Sequence, residues 1–590
     1  MVYLAKWMVK NVKVNTKEMS KALGISPILC RVMVNRGITD SKDAESFLYP
    51  DKSKLHNPRL MKDIEKGTKI IKSSVLNKKK ILIIGDYDVD GIISTYILYK
   101  ALKRVGADVS FEIPNRITDG YGINISMIED AKKDGIDTII TCDNGISAIN
   151  QIEYAKEMGL EVVITDHHDI PFKVDENNVK KSIPAAAAAV IDPKQLDCNY
   201  PFKQICGAGV AFKFIQVLYE EFDIPENEAY SFLEYVAIAT VCDVVDLVGE
   251  NRIIVKEGLS LLENTNNKGI KALIKETGLE GKVLTTYSLG FVIGPCINAC
   301  GRLDSAKKGL HLLLSEDYKE AEDTAAELVR LNQERKDMTL KGVEDITEII
   351  ENTNIKDDKV YIVYDKHIHE SVAGIIAGRI RERYNKPTIV LTSGDGCVKG
   401  SGRSIDGYNM FEELMKCKDI LTKFGGHPMA AGLSLDEENV DILRERLNKN
   451  TTLTEDMLKP KIYIDTPILI DRISMELADD LSMLEPFGKG NPKPLFADKN
   501  VGILKAEVLG EKQNVLKLKL ISKRGRTIDG IYFGEKEELE NIILEKYGEY
   551  ELQKMYNGQK NDIYIDILYN ININVYMGNS TLQLIIKYFR

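Results

Sequence analysis

The sequence predicts an α/β protein. It should comprise a doubly wound parallel-sheet domain, a long connecting helix, a second and smaller α/β domain, and a C-terminal β-barrel. Three patterns carry that expectation. From Lys80 onward, short continuous apolar runs alternate with amphipathic helical stretches, as in a parallel sheet covered on both faces. From about Glu316 to Glu351 a charged stretch keeps helical periodicity, with neither Pro nor Gly until Gly342. Beyond Lys461, strand-like alternation between polar turns dominates.

Length and composition bound the answer. The 590 residues are too many for one core, and about 150 residues per domain gives a prior of roughly four. Lys and Arg number 79 against 89 Asp and Glu, a net charge of −10. That argues against an indiscriminate polycation coating duplex DNA. It leaves room for a nucleic-acid enzyme that gathers its basic residues in one channel while its acids hold metal. No stretch approaches the ~18 apolar residues of a membrane helix, so no membrane partner is expected. The N-terminal MVYLAKWMVKNVKVN interrupts its apolar residues with Lys and Asn, so no secretory leader is expected either. The nine cysteines are scattered, with no CxxC pair, which argues against a zinc ribbon or a disulfide framework and for the reducing cytoplasm.

The elements come in order. Residues 1–75 read as a polar helical extension packed on the domain after it, with turns at Gly24, Gly37 and Asn57-Pro58. Residues 76–315 contain the strands ILIIG (81–85), TIITC (138–142), EVVIT (161–165) and a weaker AAAAVI (186–191), with helices such as Ser94 to Val105 and Ser147 to Met158 between them. Residues 316–352 form the connecting helix. Residues 353–455 repeat the α/β design with VYIVY, a helix over 371–383, PTIVL and a Gly-rich stretch to about Gly432. Residues 456–590 should form the barrel. The oligonucleotide-binding type is one candidate, which alternation alone does not single out.

The residues just after each strand carry the chemistry. ILIIG ends in Asp86-Tyr87-Asp88-Val89-Asp90-Gly91, TIITC in Asp143-Asn144-Gly145, EVVIT in Asp166-His167-His168, and Asp243 closes a further apolar segment. Each piece has an ordinary reading: a solvated turn, a helix cap, a structural histidine. Together they put carboxylates and imidazoles at one sheet edge, where ligands bind in such folds. Crowded carboxylates cannot all ionise without cations, and two divalent metals would resolve the conflict. The mixed oxygen and imidazole set favours Mn²⁺, with Mg²⁺ as the second choice. Such a pair activates water and clamps a phosphodiester without a Ser or Cys nucleophile. Cys142 and Cys242, each preceding a proposed ligand, read as small packing residues.

These segments resemble the DHH phosphoesterase family and, within it, the single-stranded-DNA-specific RecJ exonucleases. Asp166-His167-His168 is the DHH signature itself. GDYDVDG (85–91), CDNGIS (142–147) and VCDVVDL (241–247) are similar to the family's first, second and fourth motifs. LEPFGKGNPKPLF (484–496) resembles the RecJ entrance to its β-barrel, and HESVAGIIAGR (369–379) with GGHPMAAG resembles the DHH-associated substrate-binding domain. The resemblance implies one metal on Asp88 and Asp143 with Asp86 nearby, and a second on Asp90, Asp143, His167 and Asp243. His168 would face the scissile phosphate. Many DHH phosphatases place a His where this chain has Ile84, and Asp86 is expected to supply the missing contact.

Four Gly-rich segments, read as loops, bear on the substrate: PNRITDGYG (114–122), INACGRLDSA (297–306), GSGRS (400–404) and FGGHPMAAG (424–432). Glycine lets backbone approach phosphate, and Arg contacts it bidentately. By resemblance Arg116, Arg302, Ser401 and Arg403 would grip phosphates near a 5′ end, with His427 close by and Asn298 and His369 as further members. Arg379, Arg381 and Arg383 share a predicted helix, and the last two read equally as a solvated face or as DNA contacts. In the barrel, Tyr532, Tyr564, Tyr569, Tyr576 and Tyr588 are candidates to stack bases or to fill the core.

The expected function is two-metal 5′→3′ hydrolysis of single-stranded DNA to mononucleotides, in recombination and repair, beside a single-strand-binding protein and a helicase. One alternative is a DHH phosphodiesterase acting on short oligoribonucleotides or cyclic dinucleotides. Another is a catalytically inactive replication scaffold, which would be expected to have lost motif acids that this chain keeps.

Overall fold

A computed structural model describes residues 5–174, 180–394, 396–510, 513–576 and 578–590. It divides into two compact units. The larger takes Pro50–Thr451 with Gly488–Gly490; the other joins the chain up to Tyr49 with Thr452–Phe487 and Asn491–Arg590.

The expected 1–75 extension is therefore split. Helices Thr16–Leu23, Pro27–Asn35 and Ser41–Leu48 bury Met19, Leu29, Val32, Met33 and Phe47 in one core with Ile470, Leu484, Phe496 and Leu518. The strand Lys6–Val9 pairs in parallel with Lys461–Ile464. Helix Ile64–Leu76 instead buries Ile64 and Ile71 in the core of the larger unit. Apolar faces seek whichever partner completes their burial, and sequence adjacency does not name that partner.

In the larger unit we label β1 (Lys80–Ile84), α1 (Val89–Arg104), β2 (Asp108–Glu112), β3 (Thr138–Cys142), β4 (Glu161–Thr165) and β5 (Ala189–Ile191). The five strands are parallel, in the order β2-β1-β3-β4-β5. Ile81 and Ile83 enter a core on one face, while Leu82 and Ile84 enter a core on the other. Strands buried on both sides need apolar residues at every position, which is why they read as runs. Chain order reverses between β1 and β3, the switch point at which such sheets bind ligands. The helices α2 (Gly207–Glu221), α3 (Leu233–Cys242) and α4 (Gly294–Leu303) complete the unit around this point.

The connecting helix α5 (Tyr318–Asn352) leads to β6 (Tyr361–Tyr364), α6 (Glu370–Tyr384), β7 (Thr388–Ser393), β8 (Val398–Arg403), β9 (Lys423–His427) and β10 (Ala430–Leu435). Their sheet runs β9-β10-β8-β7-β6, with only β6 and β7 parallel. Three of the four supposed Gly-rich loops are thus regular structure. GSGRS lies on β8, FGGHPMAAG spans the β9–β10 hairpin, and INACGR lies on α4. Glycine obscured the strands because it leaves no alternating side chains to read. At Gly400 a Cβ would drive into Leu391, so the gap is packing space.

In the smaller unit β11 (Phe496–Leu509), β12 (Val515–Ile521), β13 (Thr527–Phe533), β14 (Tyr564–Tyr576) and β15 (Asn579–Phe589) close a five-stranded barrel. β11 pairs with both β12 and β14, and β13 with β15. This is the oligonucleotide-binding type. Tyr532 and Tyr569 are core residues, hydrogen-bonded to Glu538 and to the Ile468 carbonyl, so neither stacks bases. Tyr588 packs against the small cluster of Ile462, Ile464 and Leu568, Tyr564 is exposed, and the side chain of Tyr576 lies outside the described residues. Among the described residues no helix is long and apolar enough to cross a membrane.

Candidate functional site

Three turns and one helix end deliver the acids. After β1 the chain turns so that Asp88 caps α1, its Oδ1 accepting from the amides of Asp90 and Gly91 at 2.9 and 3.2 Å. That leaves its other oxygen for a ligand. Asp90 comes next on the first turn, and its two oxygens accept from the amides of Gly207 and Ala208 at 2.6 and 2.8 Å. These are the first amides of α2, a positive helix terminus that favours the ionised carboxylate. After β3, Asp143 adopts a left-handed backbone (φ 61°), a strained conformation characteristic of functional turns. Gly207 leaves it room: a Cβ there would sit 2.7 Å from the Asp143 Cβ. Asn144 ties the turn down, its amide donating to the carbonyls of Ile84 and Cys142. Asp243 comes from the end of α3 and not from a strand, which corrects the expectation that every ligand stands on the sheet edge. A helix packed across the sheet can reach the same crevice.

The side chains converge. His167 Nε2 stands 3.0 Å from Asp143 Oδ1 and 3.6 Å from Asp90 Oδ2, and His167 Nδ1 stands 3.9 Å from Asp243 Oδ2. Ligand atoms of Asp86, Asp88 and Asp143 lie within 4.8 Å of one another, as do those of Asp90, His167 and Asp243. Asp86 Oδ1, Asp143 Oδ1 and His167 Nε2 are buried without hydrogen-bond partners. Ile84 is buried in the core and offers no ligand atom, while Asp86 stands in one group with Asp88 and Asp143. Buried lone pairs without donors cost free energy unless a cation meets them. The donor set of carboxylate oxygens and one imidazole fits two divalent ions of the Mn²⁺ or Mg²⁺ kind.

The electrostatics agree. Burial first, and the neighbouring acids second, raise Asp86 and Asp143 well above the usual carboxylate range, Asp90 to about 6 and Asp243 to about 8. Burial and the charge of His168 lower His167 to about 3, leaving it a neutral ligand. Asp166 is the exception. Burial would raise it, but the His168 hydrogen bond and charge outweigh that and hold it at about 2. Its Oδ1 accepts from His168 Nδ1 at 2.7 Å and from the amides of His167 and His168, and its Oδ2 accepts from Ile146 N. These bonds tie the backbone of both histidines and the His168 ring to the turn after β3, so Asp166 is a positioning residue that sequence reasoning leaves without a role. Burial opposes the His168 charge, yet Asp166 raises His168 to about 9, so His168 presents a cation to the cleft. Tyr121 also escapes the sequence reading: its hydroxyl donates to the Asp143 carbonyl at 2.8 Å and stands 3.3 Å from His168 Nε2. It lies in the same PNRITDGYG segment that supplies Arg116. Cys142 is buried, and burial pushes its thiol up to about 12, as suits a packing residue.

A second cluster has the opposite sign. The Arg116 guanidinium lies 4.9 Å from the Tyr87 ring centre. Arg302 on α4 donates to the Ser371 carbonyl at the start of α6, 2.8 Å away. Arg403 on β8 donates to Ser401 Oγ at 3.1 Å and to its neighbour's carbonyl. Gly374 of α6 makes room for this pair, since a Cβ would come within 2.8 Å of both side chains. Burial, then Arg116 and Arg335, lower Arg302 to about 10, and burial, then Arg116 and Arg381, lower Arg403. Arg335, on α5, cannot be picked from the sequence, because nothing there marks it off from a solvated helix charge. Asn298 accepts from the Val89 amide at 3.1 Å, so it braces the first acidic motif. His369 is the N-cap of α6, accepting from Ser371 N, and its ring faces Ser371 Oγ at 2.7 Å. His427 is exposed on β9, its imidazole lowered by burial and then by Arg403. Arg379 and Arg381 each pair with Glu382, and Arg383 bonds Thr347; the Arg381 Nε is buried without a hydrogen-bond partner.

The comparisons with known proteins match this division. The profile of the DHH family, N-terminal domain, matches residues 80–240, that of the DHHA1 domain residues 357–452, and that of the RecJ OB domain residues 464–588. The single-stranded-DNA-specific exonuclease RecJ of Bacillus subtilis (strain 168) is 36% identical over 557 residues, 93% of this chain and 69% of the relative. That of Escherichia coli (strain K12) is 32% identical over 583 residues, 95% of each chain. The crystal structure of RecJ in complex with Mn²⁺ from Thermus thermophilus superposes with a TM-score of 0.81 at 25% identity, covering all of this chain and 80% of that one. With three matched domains in RecJ order and nearly full-length relatives above 30% identity, the chain belongs to the RecJ family of single-stranded-DNA-specific exonucleases.

Proposed function

We propose that this protein is a metal-dependent 5′→3′ exonuclease that hydrolyses single-stranded DNA to mononucleotides. The observation that carries the reading is the pairing of two clusters of opposite sign in one unit. One cluster is Asp86, Asp88, Asp90, Asp143, His167 and Asp243; the other is Arg116, Arg302 and Arg403. Asp88 and Asp143, with Asp86, would hold one divalent ion, and Asp90, Asp143, His167 and Asp243 the other. When bound, such ions lower the pKa of water to yield a nucleophile and relieve charge on the leaving oxygen. The chain's own residues do the rest. Asp166 holds His168 charged and oriented, so that it meets the scissile phosphate's developing negative charge. The Arg302, Arg403 and Ser401 side chains, beside the first amides of α6, would seat a 5′-terminal phosphate and set the register at one nucleotide per cut. Seating the terminal phosphate beside the reacting one fixes polarity through geometry. The barrel, matched by the RecJ OB profile, would contribute single-strand binding.

Recombination and repair, a cytoplasmic location, and a single-strand-binding protein and a helicase as partners complete the proposal; family membership is what supports them. The inactive-scaffold alternative is disfavoured because the motif acids are present and converge. The phosphodiesterase alternative lacks a use for the OB domain. The test compares a 3′-labelled, 5′-phosphorylated single strand with its duplex, a short oligoribonucleotide and a cyclic dinucleotide, each with Mn²⁺. Mononucleotide release from the 5′ end of the single strand, abolished in Asp143→Asn, is expected. Preference for the ribonucleotide or cyclic substrate would overturn the assignment.

A further inference from the structure

Tyr287 and Phe291 stand out on the surface of the larger unit. Each is 65% exposed, yet their rings stack on each other with centres 5.0 Å apart and planes 21° from parallel. They lie at the start of a π-helical segment, Ser288–Ile293, that runs directly into α4. Segments of this kind are uncommon and concentrate at functional sites. An exposed pair of large apolar rings held in register is the sort of surface feature that asks for an occupant.

The same helix says where that occupant runs. Gly290 and Gly294 let it press against α3: a Cβ at Gly290 would come 3.1 Å from Val241, and one at Gly294 would strike the Cys242 thiol. Those are the residues immediately before Asp243. Further along, Phe291, Pro295, Asn298 and Arg302 fall at i, i+4, i+7 and i+11, one face of a helix. All four are partly or fully open, while Ile293, Cys296, Ile297, Ala299 and Cys300 between them are buried. One accessible stripe therefore passes from Arg302, past Asn298 beside the first acidic motif and the Asp243 helix end, to the ring pair. Its length from Arg302 to Phe291 is roughly 17 Å at 1.5 Å per residue, a few nucleotides of single strand.

We infer that Tyr287 and Phe291 form a stacking platform for nucleobases of the substrate strand, on the 3′ side of the cut and a few nucleotides from the terminal phosphate. The inference rests on the exonuclease reading above. The order along the stripe is phosphate-gripping arginine, metal-ligating acids, then aromatic rings. In the inferred path, a strand seated by its 5′ phosphate at Arg302 passes the acids and runs on toward the rings. Every base offers a π face, so such a platform holds any sequence and rejects paired bases, whose faces are already covered.

The test uses the full-length Tyr287→Ala/Phe291→Ala double variant with Mn²⁺. It measures kcat and KM on 5′-phosphorylated single strands of two and of about twenty nucleotides. The expected result is a roughly 5- to 100-fold fall in the ratio of long- to short-substrate kcat/KM, carried by KM and restored by Tyr287→Trp/Phe291→Trp. An abasic run placed where the rings would reach should cost the wild type a similar factor and cost the alanine variant nothing more. An unchanged ratio overturns the platform. So does an equal loss on both lengths, which marks a structural role. Loss of self-association, or of a protein partner's binding, with DNA kinetics intact would assign the rings to that partner and likewise overturn it. A wild type that cuts no single strand at all would instead remove the exonuclease reading, so the two failures are distinguishable.

Discussion

The acidic crevice and the arginine cluster are built on the same physical problem with the sign reversed. In the crevice, Asp86, Asp90, Asp143 and Asp243 are pushed up because burial strips their hydration and each meets the others' charge. In the arginine cluster, burial and the neighbouring guanidiniums push Arg302 and Arg403 down. Neither group finds its counter-charge within itself, unlike Lys213 and Glu250, a buried pair 2.8 Å apart in the same unit. A structural ion pair is complete in the folded chain; these two clusters stay open to ligands, cations in one and, in the function proposed above, phosphate in the other. The difference separates sites evolved to bind from charges merely buried.

That contrast can be broken most sharply at Asp143. Asp143→Asn should lower nuclease activity by more than the ~10- to 100-fold typical of residues that only support a metal ligand, since Asp143 is the side chain proposed to serve both ions. It should also stabilise the metal-free protein by about 1 kcal/mol, because one mutually repelling charge is gone. Activity and thermal unfolding in chelator, measured on one preparation, would show the opposed signs. Loss of both would mean the acid is structural. Next in size is Arg403→Ala, which should weaken binding of a 5′-phosphorylated strand by roughly 10- to 100-fold, the worth of charge-assisted hydrogen bonds. Its effect on a 5′-hydroxyl strand should be far smaller, as equilibrium binding in Ca²⁺ would reveal.

Gly207→Ala probes the packing beneath the acids. Its Cβ, 2.7 Å from that of Asp143, should cost about 1–3 kcal/mol of stability and loosen Mn²⁺ binding together, read by unfolding and calorimetry. A variant with wild-type metal affinity would show that the Asp143 turn can shift freely. The smallest expected effect is one of pH. Asp90 at about 6 and Asp243 at about 8 in the fold stand above their unfolded values near 3.8. Between those limits the native state binds more protons than the unfolded state. The stability these groups lend the metal-free protein is thus full below about pH 4 and lost as pH rises through about 8. Mn²⁺ displaces the same protons, so its rise in Tm should be larger at pH 8 than at pH 5.5. An equal rise at both would say the acids are already ionised.

Much of this is legible in the order of residues alone. Parallel strands buried on both faces must be apolar throughout, so β1, β3 and β4 announce themselves, and their trailing Asp and His residues mark the switch point. The arginines can be picked out because they stand among glycines. Other features are hidden for definite reasons. Strand β8 and the β9–β10 hairpin are glycine-rich and carry no alternation, so they read as loops. Asp166 sits inside the most recognisable motif, yet its role as anchor for His168 depends on a bond made only when the turn after β4 closes. Tyr532 and Tyr569 stay undivided between stacking and core filling because a barrel's inward and outward positions are told apart only by its closure.

Local chemistry, then, is enough to nominate candidates for holding cations and phosphate, since donor type and strand-end position are properties of a short stretch of chain. Whether those groups would meet, with Asp243 arriving on a helix and the first helices joining the barrel's unit, is settled by long-range packing. Burial is shared among faces far apart along the chain, and no short segment contains the information about which distant face will cover it.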